Sequence, residues 1–186
     1  MRLTLLILMS LFAITASASI ENYQRGYYYD LNGNRTDGYI SHIDYSLIKF
    51  RQDLNTKPIK LTPSDIEKFY IGNDEYRVLE TFKIKPDFIF FRQNVKKGFA
   101  KVLLEGRANL YLCRVYVNNG QIFDIKDYFL LENNNNKKYI QLHKNIIRFR
   151  KQIATILNDG QLDEMVKKRN WRYNQTELII RQFNKP

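Results

Sequence analysis

Cysteine is almost missing from this chain: Cys113 is the sole one among 186 residues. No disulfide can form within the molecule, so the fold stands on packing, for which a 44% hydrophobic composition is ample. Histidine is nearly as rare. His42 lies between Ser41 and Ile43, His143 lies between Leu142 and Lys144, and neither H-E-x-x-H nor C-x-x-C occurs. A zinc centre needs several His, Cys or carboxylate ligands at helical or loop spacing, so no metal and no other cofactor is expected. The eight glycines are scattered singly, which excludes a glycine-rich phosphate loop. No G-x-S-x-G elbow surrounds Ser41, Ser46 or Ser64. Cys113 stands mid-strand in Leu110-Tyr111-Leu112-Cys113-Arg114-Val115. That position suits a small buried hydrophobe better than a nucleophile, because thiolates are stabilised at helix N-termini or beside cations.

Long apolar runs are missing too, with one exception at the start. Met1-Arg2 precedes an apolar stretch from Leu3 to Ala16, closing on Ala16-Ser17-Ala18. A basic start, a short apolar middle and small residues at the end are the pattern of a secretory signal peptide over residues 1–18. Residues 19–186 are then expected to be a single exported domain, periplasmic or secreted. No cysteine lies near the cleavage site, which argues against an acyl anchor there, and no later stretch is long enough to span a bilayer.

Charge of one sign is scarce in places and abundant in others. Residues 83–107 carry seven Lys or Arg against two acids, and residues 144–186 carry ten against four. The remainder of residues 19–186 is close to neutral. Two basic segments suggest an anion-binding face made by Lys96, Lys97, Arg148, Lys151, Lys167, Lys168 and Arg169, acting over a Debye length of about 10 Å. Aromatics interleave with these cations, as in single-strand nucleic-acid clefts. Export argues against nucleic acid and for anionic lipid head groups or acidic glycans; an envelope protein is a further candidate partner.

The mature region divides by texture. Residues 19–144 read as short β-strands rich in Tyr, Phe, Ile and Val, separated by turn signals. Tyr27 to Tyr29 runs into a tight hairpin turn at Leu31-Asn32-Gly33-Asn34, and Gly38-Tyr39-Ile40 returns. Further strands are expected at Tyr45 to Phe50, Glu75 to Ile84 and Phe88 to Phe91. Others are expected at Phe99 to Leu104, Ala108 to Val117, Ile122 to Leu131 and Tyr139 to Leu142. Leu61 to Ile66 reads as one helical turn, with Thr62 as cap and Pro63 in the first helical position. In Glu75 to Ile84, alternation places Tyr76, Val78, Phe82 and Ile84 on one face.

Residues 145–186 change period. Ile146, Phe149, Ile153, Ile156 and Leu157 recur at spacings of three and four, which predicts an amphipathic helix capped by Asn145 and stopped near Gly160. A short helix with Leu162, Met165 and Val166, and a third from Asn174 with Leu178, Ile179 and Phe183, complete the tail. Trp171 and Tyr173 are expected as anchors between the last two helices. The predicted fold class is α+β: an antiparallel β-sheet or small open barrel followed by two to three C-terminal helices packed on it.

Several stretches carry a resemblance: Asp30 to Ile40 (D-x-x-G-N-x-x-x-G-Y-I), Leu61 to Phe69, Asn109 to Leu112, and the tail from Phe149 closing on Phe183-Asn184. Together they resemble small exported proteins of unassigned function that are common in Bacteroidota. Such proteins often carry a Cys-Pro pair after the Asp of the tail, where this chain has Gly160-Gln161. The resemblance implies an envelope or secreted location and transfers no site.

These readings favour an exported, non-catalytic envelope or secreted protein that binds anionic envelope components through a basic surface. The alternatives are a structural partner of an envelope complex and a small secreted hydrolase. The hydrolase would use paired carboxylates, for which Asp124 with Asp127, or Glu132, are the candidates.

Overall fold

The computed structural model describes residues 22–86, 93–118, 123–133, 138–158, 160, 164 and 171–185. The leader, the expected strand at Phe88 to Phe91 and the expected helix holding Leu162, Met165 and Val166 lie outside these residues.

Alternating apolar and polar residues build β1 (Gln24–Asp30), β2 (Arg35–Asp44), β3 (Leu47–Arg51), β4 (Ile59–Leu61) and β5 (Ile66–Ile71). The same pattern continues in β6 (Asp74–Ile84), β7 (Gln93–Leu104), β8 (Ala108–Asn118), β9 (Phe123–Asn133) and β10 (Lys138–Gln141). All ten join one antiparallel sheet in the order β10-β9-β8-β7-β6-β5-β1-β2-β3-β4. Strands β1 to β4 meander one way. The chain then returns to lay β5 along the free side of β1, and β6 to β10 meander the other way. The chain is therefore mostly β, and its sheet stays open rather than closing into a barrel.

Two helices with described bounds follow, α1 (Ile146–Leu157) and α2 (Thr176–Phe183), the latter entered through a 3-10 turn at Tyr173–Gln175; between them Gly160 and Glu164 are also helical. Asn145 caps α1 as expected, its Oδ1 accepting from Ile147 N and Arg148 N at 3.2 Å each. The helix stops earlier than Gly160: Asn158 takes the left-handed conformation (φ 47°) and its N–H donates to Ala154 O. No described helix is long and apolar enough to cross a membrane.

Three buried clusters follow from this layout. Phe149 and Ile153 of α1, Ile179, Ile180 and Phe183 of α2, and Trp171 pack on Leu110 and Leu131 of the sheet. Each such side chain contributes about 2 kcal/mol by leaving water. The opposite side of β8 sends Tyr111, Cys113, Val115 and Val117 into a second cluster with Leu79, Phe82 and Tyr128. Ile40, Ile48, Phe50, Phe69 and Phe99 form a third between the two meanders. Trp171 and Tyr173 anchor the helix–sheet cluster: Trp171 is buried in it, and the Tyr173 hydroxyl accepts from Phe129 N at 2.9 Å. Leu162, Met165 and Val166 of the first of the two helices they were expected to join lie outside the described residues.

The sheet coils on itself at two points. Tyr45, in the β2–β3 turn, donates its N–H to Arg114 O at 2.8 Å and accepts from Phe99 N at 2.6 Å. It sits where β7 and β8 have splayed apart, and Gly98 makes room: a Cβ there would stand 2.8 Å from the Phe82 ring. At the other end Gln141 of β10 takes both backbone groups of Lys85, just past β6, at 2.7 and 3.1 Å. These contacts curl the sheet as strand twist favours.

Local expectations needed correction in four places. Leu61 to Ile66 is not a helical turn: the Asp65 carboxylate accepts from Thr62 N and Oγ1 at 2.7 Å each, tightening a turn that opens straight into β5. Burial of Ile66, Phe69 and Ile71 outweighs the local capping signals there. Strand β4 pairs with β3, an edge pairing that its short apolar content did not announce. In the first hairpin Gly33 has positive φ and Asn32 does not, so the turn is a three-residue loop; Asp30 Oδ1 accepts from Asn32 N and Asn34 N at 2.8 Å. Finally, Tyr76 and Val78 face a different cluster from Phe82 and Ile84. Thr81 adopts φ 50° and resets the alternation, so Leu79 and Phe82, three apart, enter the same core.

Candidate anion-binding cleft

The reset at Thr81 has an electrostatic consequence. With Phe82 and Ile84 buried, Lys83 and Lys85 turn outward. Uninterrupted alternation from Leu79 would have sent them into the core. A β-branched residue at positive φ costs on the order of 1–3 kcal/mol, and such strain persists where the surrounding structure requires it.

Lys83 and Lys85 border a cleft of about 800 Å³ between the far ends of β6 and β7 on one side and β10 with the start of α1 on the other. Lys96 of β7, Lys138 of β10, Lys144 and Arg148 also line it. No carboxylate lines it among the described residues. The wall is held by reciprocal bonds: Gln152 of α1 accepts from His143 N at 3.0 Å and donates to Gln141 O at 2.9 Å. Gln141 in turn clamps Lys85. The Lys144 ammonium also lies 4.5 Å from the Tyr128 ring centre, a cation–π contact.

Helix α1 opens onto this cleft against its own preference. Its first turn holds no acid and carries Arg148, with Lys144 just before the cap. Cations at a helix N-terminus face the positive end of the dipole, an arrangement that costs a few tenths to about 1 kcal/mol each. The cleft thus gathers like charges from two separate stretches of the sequence and a helix dipole of the same sign. An anion seated there relieves all of them.

Of the seven cations predicted from sequence, Lys96 and Arg148 line the cleft. Lys97, on the next position of β7, instead reaches Glu80 at 3.5 Å. Lys151 is exposed further along α1, outside the cleft. The two therefore do not join the predicted face, because strand alternation and helical rotation turn them elsewhere. Lys167, Lys168 and Arg169 lie outside the described residues. Sequence reasoning missed Lys83, Lys85, Lys138 and Lys144 as site members. Alternation of Lys83 and Lys85 with Phe82, Ile84 and Pro86 was the signal for two of them.

A second cleft, of about 620 Å³, lies on the sheet between β2 and the strands β6 to β9. Its charges are matched: Lys101 pairs with Asp74 at 2.7 Å, and Arg114 Nε reaches Asp127 Oδ1 at 3.1 Å. His42 lines it, with Nε2 2.9 Å from Asp44 O. A carbonyl only accepts, so Nε2 carries the proton, while Nδ1 is buried with no hydrogen-bond partner among the described residues. Burial first, and the Arg114 cation second, push His42 down to about 4.

The proposed carboxylate pairs do not converge. Asp127 is held by Arg114, Asp124 pairs with Lys126 at 3.1 Å, and Glu132 is buried under Tyr111 and Asn109, each donating at 2.9 Å. His143 and His42 belong to different clefts. Cys113 is fully buried, and that burial pushes its thiol well above the ordinary range. No protein family, curated protein or solved structure matches this chain.

Proposed function

We propose that this chain is an exported, non-catalytic protein of the envelope or its surroundings that holds an anionic envelope component in the basic cleft. The observation that carries this reading is the convergence of Lys83, Lys85, Lys96, Lys138, Lys144 and Arg148 on one cleft, with no carboxylate among its described lining residues. Elsewhere on the surface Lys97, Lys101 and Arg114 each stand beside a carboxylate. The unfavourable charges at the start of α1 support the same reading, since departures from local rules concentrate at functional sites.

The test is elution of the full chain from a phosphorylated matrix across a salt series. Retention should fall steeply between about 50 and 200 mM salt. Reversing Lys83, Lys96 and Arg148 to Glu should abolish most of the retention, whereas Lys97→Glu with Lys151→Glu should change it far less. Equal loss in both variants would reduce the effect to net charge and remove the cleft from the explanation.

A further inference from the structure

We infer that the ligand of this cleft is an anionic amphiphile, a negatively charged head group joined to an apolar chain or ring. The inference rests on the anion-binding reading above and adds what the head group is attached to. Size is the first argument. A cleft of about 800 Å³ is far larger than an inorganic anion needs and falls in the range of sites for organic ligands.

The walls supply the second argument. Between the cations the cleft is lined by Phe82, Val95, Pro86, Tyr139, Ile140 and Leu142. Tyr139 and Ile140 are only half-buried, and as neighbours on β10 they pack against different cores. A carbon body set against the half-buried apolar wall loses contact with water, which favours binding with each methylene buried.

The third argument separates a lipid-like body from a glycan. A sugar needs neutral hydrogen-bonding side chains to match its hydroxyls. Gln141 and Gln152 are spent on the backbone of the wall itself and Asn145 Oδ1 caps α1, which leaves Thr81, Asn94, His143 and the Tyr139 hydroxyl as the further polar groups of the lining. The rest of the lining is cations and apolar side chains, the two halves of an anionic amphiphile. Thr81 links them: its backbone conformation keeps Phe82 on the inner side and brings Lys83 to the rim.

The experiment is a calorimetric titration of the full chain at fixed salt with ethyl phosphate, octyl phosphate below its micelle concentration, tripolyphosphate and an oligogalacturonate. A ligand series leaves the fold untouched. Octyl phosphate should bind at least about tenfold more tightly than ethyl phosphate, a modest share of what six buried methylenes allow. It should also exceed tripolyphosphate despite carrying fewer charges, and Lys96→Glu with Arg148→Glu should weaken it about tenfold or more. Equal affinity of the two alkyl phosphates, or tightest binding of tripolyphosphate or oligogalacturonate, overturns the amphiphile and leaves the anion reading in place. Octyl phosphate binding that ignores the double charge reversal puts the ligand elsewhere and overturns the inference. Failure of every anion to bind overturns both readings.

Discussion

Acidification should destabilise this protein through His42 in a window set by its burial. The folded chain resists protonating His42 until about pH 4, whereas an unfolded chain accepts the proton near 6.5. Between those values the unfolded state binds more protons, so stability falls as pH falls. Above 6.5 both states are neutral and the contribution is fully present; below about 4 both are protonated and nothing further is lost. The gap corresponds to about 3 kcal/mol, of which about 2 kcal/mol is gone by about pH 5. Arg114 adds to the desolvation, while the Asp44 carbonyl and the Asp44 and Asp127 charges act weakly the other way. Denaturant unfolding of wild type and His42→Gln at about pH 7.5 and 5 isolates the effect, because Gln keeps an N–H for Asp44 O but does not titrate. The wild type should lose about 2 kcal/mol more than the variant on acidification. Equal losses in the two proteins would mean that His42 titrates normally and that its surroundings are wet.

Other substitutions probe the scaffold around the cleft. Phe149→Ala removes the central ring of the helix–sheet cluster and should cost about 3–5 kcal/mol in denaturant unfolding, the range for a buried aromatic that leaves a cavity. Asn145→Ala strips two N–H partners from the start of α1 and should cost about 1 kcal/mol, with a matching loss of helical circular dichroism if α1 frays from that end. Glu132→Ala leaves the Tyr111 hydroxyl and the Asn109 amide without their shared acceptor and should cost about 2–3 kcal/mol. In a Tyr111→Phe background the same substitution should cost about 1 kcal/mol less, and an additive double-mutant cycle would deny the contact.

Much of the architecture was legible locally. The Asn145 cap and the three-and-four spacing of Phe149, Ile153 and Ile156 specify α1 almost to the residue, because capping and burial of one face are properties of adjacent turns. Most strands were legible for the same reason, since alternation is read within a few residues. What failed was either too short or too context-bound. Ile59–Leu61 has only three residues in which to show a period, and Leu61 to Ile66 carries capping residues that the β5 pairing overrides.

The candidate site was legible only as a surplus of charge. Sequence alone determined that the chain has no internal disulfide, that α1 and α2 are helices and that cations concentrate in two segments. Tertiary structure decided which of those cations meet. Lys96 and Lys97 are neighbours in sequence, yet one lines the cleft and the other pairs with Glu80, because successive strand residues point to opposite sides. Lys83 and Lys85 reach the rim through one backbone torsion at Thr81, which alternation from Leu79 would have denied. Arg148 joins them because the coiled sheet carries β10 and α1 back to the end of β6, where Gln141 clamps Lys85. Periodicity and capping are short-range properties and survive in a string of letters. The convergence of remote charges depends on sheet twist and long-range pairing, which exist only once the chain has folded.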